Sequence, residues 1–147
     1  MNHFLRHPFF RKLLSLQLPE SDYAVAGSGP LYARRFIEEI GDVDIVARGV
    51  AWSRACELGT PQPAPYSTVQ QIELFDGAVE VLDGWFPEIW KTDDLIDNAD
   101  EIGGVRFVQL DVVRRTKQML GRPNDLAHLH AMDADTSPES AIRPDTK

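Results

Sequence analysis

The sequence predicts an α/β protein, a mixed sheet of about four or five strands with helices packed on it. Three observations carry that expectation. Asp42-Val43-Asp44-Ile45-Val46 alternates polar and apolar residues with the period of a strand. Residues 69–75 and 78–82 flank Asp76-Gly77 as two arms of a hairpin with a two-residue turn. Val112, Val113, Thr116, Met119 and Leu120 recur at the spacing of one helix face.

Taken in order, Phe4, Phe9, Phe10, Leu13, Leu14 and Leu16 alternate with basic residues and predict an amphipathic first helix over residues 3–18, ended by Pro19. Residues 23–26 form a short apolar strand closed by Gly27-Ser28-Gly29-Pro30. Pro30 suits the opening of a helix, where its missing N–H costs nothing, and that helix is expected to run to about Ile40 and stop at Gly41. The strand at residues 42–46 follows, then a helix over residues 51–58. Three prolines within residues 59–65 require a loop ahead of the hairpin. Residues 85–97 hold one short helix, and a second hairpin joins residues 99–102 to 105–108 across Gly103-Gly104. Asp111 reads as the cap of a helix ending at Gly121, and Pro123 opens a last helix carrying Leu126, Leu129 and Met132. Residues 1–134 are expected to form a single domain. Residues 135–147, polar with two prolines, read as a disordered tail.

With 147 residues, the chain has the length of one domain. Its formal net charge of -8 opposes broad binding to a nucleic-acid backbone. A local basic patch is possible at Arg114, Arg115, Lys117 and Arg122; the arginines read as a solvated helix face, whereas Lys117 is equally suited to contacting an anionic ligand such as a phosphate group or an RNA. Cys56 is a single cysteine, so no intrachain disulfide forms; beside Ala55 and Leu58 it reads as a buried small hydrophobe. Arg6, Arg11 and Lys12 interrupt the apolar N-terminal residues, and no uncharged stretch is long enough to span a bilayer, so a cytoplasmic protein with no membrane association is expected. Trp52, Trp85 and Trp90 read as packing residues. His128 and His130, two apart on a helix, do not share a face as metal ligands would.

The candidate site begins with Asp42 and Asp44. Aspartate is disfavoured in strands, and at i and i+2 the two carboxylates share one face while Val43 and Ile45 take the other. Their repulsion is relieved by a hard divalent cation such as Mg²⁺. The plainer reading, a turn residue followed by a solvated one, is equally compatible with the pattern. Upstream, Gly27-Ser28-Gly29 lies between a strand and a helix, where backbone N–H groups suit a phosphate, though a tight turn would need the same glycines.

Together these residues resemble a family. Val25-Ala26-Gly27-Ser28, the thirteen residues 29–41 and Asp42-Val43-Asp44-Ile45 are similar to the signature of the polymerase-beta-like nucleotidyltransferase superfamily. Residues 110–117 and Gly121-Arg122-Pro123-Asn124-Asp125-Leu126 resemble the helix-Lys-Gly-Arg-Pro-Lys-Asp-Leu run of small bacterial members related to abortive-infection toxins. Asn124 stands where lysine is common, and Glu38-Glu39-Ile40-Gly41 where members often carry Arg-x-Thr. The resemblance implies a third carboxylate on a later strand. Glu80, in Val79-Glu80-Val81, fits best, ahead of Glu73 and Asp83. It further implies Mg²⁺ held by Asp42, Asp44 and Glu80, a nucleoside triphosphate held by Gly27, Ser28, Gly29 and Lys117, and transfer of a nucleoside monophosphate to an acceptor hydroxyl on a protein, a tRNA or a small molecule. The alternative class is a catalytically silent module that binds a partner protein, for example within a toxin–antitoxin pair.

Overall fold

The computed structural model describes residues 2–135. The fold is α/β, a mixed open sheet with helices on both faces, and the sheet has seven strands rather than four or five. These are β1 (Tyr23–Ala26), β2 (Val43–Ala47), β3 (Gln62–Pro63), β4 (Gln70–Leu74), β5 (Val79–Leu82), β6 (Asp100–Ile102) and β7 (Val105–Phe107), in the order β3-β4-β5-β2-β1-β7-β6. The proline-rich segment accounts for part of the excess. Its Gln62 and Pro63 pair with Gln71 and Gln70 as an edge strand, a place where proline's missing donor is tolerated. The Gly103-Gly104 hairpin supplies the opposite edge.

The helices are α1 (Pro8–Ser15), α2 (Gly29–Ala33), α3 (Gly49–Leu58), α4 (Thr92–Asp97), α5 (Leu110–Leu120) and α6 (Pro123–Asp135). The predicted first helix is split: a 3₁₀ turn over His3–Arg6 precedes α1, because Pro8 fixes the first position of a new helix and His7 Nδ1 caps it by accepting from Phe9 N–H. The helix expected to reach Ile40 stops at Ala33. Arg35 takes φ 66°, and the N–H groups of Arg35 and Phe36 bond back to Tyr32 O and Leu31 O. That is a left-handed helix terminus built without glycine. Asp111 is not the cap of α5. Gln109 holds that position, and Asp111 lies in the first turn, its Oδ1 accepting from Val112 N–H. The β4–β5 turn is longer than two residues. Leu74 pairs with Val79, and Phe75, Asp76 and Gly77 all have positive φ. Cys56 is exposed, because α3 turns Ala51 and Ala55 inward and the next residue along rotates away by about 100°. The expected tail lies outside the described residues, apart from Asp135, which ends α6.

Strand alternation divides the apolar residues into two cores. Val25, Val43, Ile45, Ile72, Val81 and Phe107 face one side, covered by α1 and α3. Ala24, Ala26, Val46 and Leu82 face the other, with Trp85, Ile96, Val112 and Met132. Asp44 has the parity of Val46, and Glu80 that of Leu82, so both acids lie on this second face, toward α5 and α6. Among the described residues, no helix is long and apolar enough to cross a membrane.

Candidate metal centre

Strand pairing places the acids. β2 and β5 are parallel neighbours with Asp44 opposite Glu80, and Asp42 precedes Val43, the first residue of β2. Carboxylate oxygens of Asp42, Asp44 and Glu80 all lie within 4.8 Å of one another, and all three side chains are partly buried. The register also separates Glu80 from its rivals. Glu73 pairs with Glu80 from the far side, one strand further from Asp44, and is exposed. Asp83 Oδ1 accepts from Gln70 N–H at 3.0 Å and serves the β4–β5 ladder.

The triad is electrostatically unfavourable without a counter-charge. Burial and then the charge of Glu80 push the Asp42 carboxyl up to about 6, with Arg122 pulling the other way. Asp44 is pushed well above the ordinary carboxylate range by burial, by Asp42 and by Glu80. Its Oδ1 is buried and has no hydrogen-bond partner among the described residues. Buried polar atoms are nearly always satisfied, so an orphaned oxygen beside two further carboxylates is what a site for a hard divalent cation requires. The donor set, oxygen only and anionic, fits Mg²⁺.

The turn after β1 lies against this triad. Gly27 has φ +64°, and a Cβ there would stand 2.6 Å from Asp44 Oδ2. Glycine is therefore required both by the backbone conformation and by the approach of the acid. Gly27, Ser28, Asp42, Asp44 and Glu80 line one cavity of about 700 Å³. Gly29 does not line it. It opens α2 buried against Val25, whose Cγ1 would be 2.4 Å from an added Cβ, so this glycine serves packing. With only five residues in α2, the Ser28 end also has a weaker helix dipole than a helix reaching Ile40 would give.

Lys117 comes from α5 and is buried, its Nζ donating to Ser28 Oγ at 2.9 Å and to Asp125 Oδ1 at 3.4 Å. Burial pushes its ammonium down, while Asp125 opposes that shift. In the sequence Asp125 stands only as a member of the Gly121–Leu126 run, with no role of its own. It is buried, it accepts from the Arg122 N–H as an N3 residue reaching back to the cap of α6, and it grips the Arg122 guanidinium through Nε at 2.6 Å and Nη2 at 3.0 Å. Burial opposes its ionisation, but the hydrogen bonds from Arg122 hold its carboxyl below the usual range. Arg122 also lies over the Tyr66 ring at 4.8 Å and lines the cavity. Asp125 holds its guanidinium in place, while 44% of the side chain remains exposed to solvent. The other arginines are dispersed: Arg114 pairs with Asp133 at 2.8 Å and Arg115 lies 6.0 Å over Trp90. His128 is partly buried beside Ser28, whereas His130 is exposed. Trp85 donates to buried Thr116 Oγ1 at 3.1 Å and forms part of the apolar cavity wall with Leu82 and Phe86. No protein-family model, no curated protein and no solved structure matches this chain.

Proposed function

We propose that the protein is a Mg²⁺-dependent nucleotidyltransferase, moving a nucleoside monophosphate from a nucleoside triphosphate to an acceptor hydroxyl. The observation that carries this reading is the convergence of Asp42, Asp44 and Glu80 in a cavity also lined by Gly27, Ser28 and Lys117. Carboxylates alone would suit any hard cation. Carboxylates beside a glycine turn and a buried ammonium suit a cation that arrives with a polyphosphate. The resemblance of residues 25–45 and 110–126 to the nucleotidyltransferase pattern supports the same reading.

In this reading Asp42, Asp44 and Glu80 hold Mg²⁺, which when bound neutralises triphosphate charge and eases ionisation of the attacking hydroxyl. Ser28, the nearby backbone N–H groups and Lys117 bind the phosphates. Leu82, Trp85 and Phe86 give the nucleoside an apolar wall. Glu80 takes the proton of the acceptor hydroxyl as its oxygen bonds to the α-phosphorus, and pyrophosphate leaves.

The test is transfer of label from each of the four nucleoside triphosphates, with Mg²⁺ and a cell extract supplying acceptors. Transfer by the wild type and its loss by several orders of magnitude in Asp42→Asn are expected. No transfer from any of the four would overturn the enzymatic reading and favour a module that binds a partner protein.

A further inference from the structure

His128 has no role in the reading above, yet it is tied to the phosphate turn. Its Nδ1 lies 3.3 Å from Ser28 Oγ, across a hundred residues of sequence, and its side chain lines the cavity. The Lys117 ammonium can only donate, so Ser28 Oγ accepts from Nζ at 2.9 Å and is left with its own proton to give. When Nδ1 accepts that proton, the ring hydrogen lies on Nε2. Nε2 has no hydrogen-bond partner among the described residues, and Asp44 Oδ1 is the one buried side-chain atom left unpaired there. Nε2 is thus free of protein partners among the described residues, on a side chain that lines the cavity. Burial, followed by the charge of Lys117, keeps the ring from gaining a second proton.

We propose, resting on the nucleotidyltransferase reading, that His128 is a ligand of the non-transferred phosphates, donating its Nε2–H to the polyphosphate end that leaves as pyrophosphate. The imidazole supplies a neutral donor next to the Lys117 cation, and Ser28 holds it in orientation. No proton changes hands: the hydrogen bond tightens as charge grows on the departing oxygens.

The substitutions that separate binding from mere support of Ser28 are His128→Gln and His128→Asn. Glutamine carries an N–H near the Nε2 position but loses the partner of Ser28. Asparagine keeps a partner near Nδ1 but offers nothing at Nε2. Titration calorimetry with inorganic tripolyphosphate and Mg²⁺ should show His128→Ala and His128→Asn binding about tenfold more weakly than wild type, as loss of one hydrogen bond to a charged group implies, with His128→Gln close to wild type. Equal affinity across the set, or rescue by asparagine and not glutamine, would overturn the role of His128 and leave the nucleotidyltransferase reading standing. A wild-type protein that binds neither tripolyphosphate nor any nucleoside triphosphate in Mg²⁺ would overturn both.

Discussion

Asp42→Asn should stabilise the metal-free protein, and only above a definite pH. The Asp42 carboxyl is lifted from its ordinary 3.8 to about 6, first by burial and next by Glu80. A carboxyl raised on folding holds its proton more tightly in the native state, so the native protein is favoured at low pH. That advantage is complete below about pH 4 and is lost as pH rises through about 6. At full weight the shift corresponds to about 3 kcal/mol, from 1.36 kcal/mol for each pKa step. Asp42 is only partly buried, and screening by solvent reduces the figure to about 1–2 kcal/mol. The amide cannot ionise and escapes the penalty. In thermal denaturation with a chelator at pH 7.5, Asp42→Asn should melt about 4 °C above wild type, and near pH 4 the two should coincide. The same difference at both pH values, or a mutant less stable at pH 7.5, would refute the claim that crowded carboxylates strain the empty triad.

Other perturbations probe the neighbouring contacts. Mg²⁺ with a nucleoside triphosphate should stabilise the wild type by about 2.7 kcal/mol at one hundred times the dissociation constant, and Asp44→Ala should lose the metal-dependent part; equal thermal shifts in both would argue against a metal at Asp44. Gly27→Ala must hold φ +64° and push on Asp44 Oδ2, so a loss of about 1–2 kcal/mol is expected, together with a weaker response to Mg²⁺ in the same melts. Asp125→Ala leaves Lys117 buried without its anion and releases Arg122, which should cost about 3 kcal/mol in urea unfolding; a loss under about 1 kcal/mol would mean that the pair is not the tie it looks.

Where a pattern repeats over several residues, the sequence conveyed the structure well. Alternation through Val43–Ala47 set the strand and put its acids on one face, and Gly103-Gly104 marked a hairpin. Glu80 was reached through the resemblance, which implies a carboxylate flanked by apolar residues on a later strand. The features that were illegible are those in which one residue overrides the local pattern. Arg35 ends α2 from the left-handed region that glycine usually occupies, so nothing in the composition of residues 34–40 announces the stop. Gln62 and Pro63 form a strand only because β4 lies beside them. The partners of Asp125 and His128 were hidden for a different reason. On a helix, a polar residue that reaches a buried lysine or a distant serine has the same local signature as one that reaches water, and only the packing of α6 against α5 distinguishes them. Asp125 did carry a readable sign, its place three residues after the cap of a helix opened by proline.

The parallel pairing of β2 with β5 makes the acidic cluster a kinetic object as well as a binding one. After Asp44 enters the sheet, the chain must cross over through α3, β3 and β4 before Glu80 can come alongside. Such non-local pairing is the slow part of assembling a sheet, and here it also forces like charges together. A cation held by all three acids can speed folding only if β2 and β5 are already joined at the rate-limiting barrier. If they join later, the same cation slows unfolding alone. The two arms of a chevron, recorded with and without Mg²⁺, would therefore date the closing of the sheet's centre.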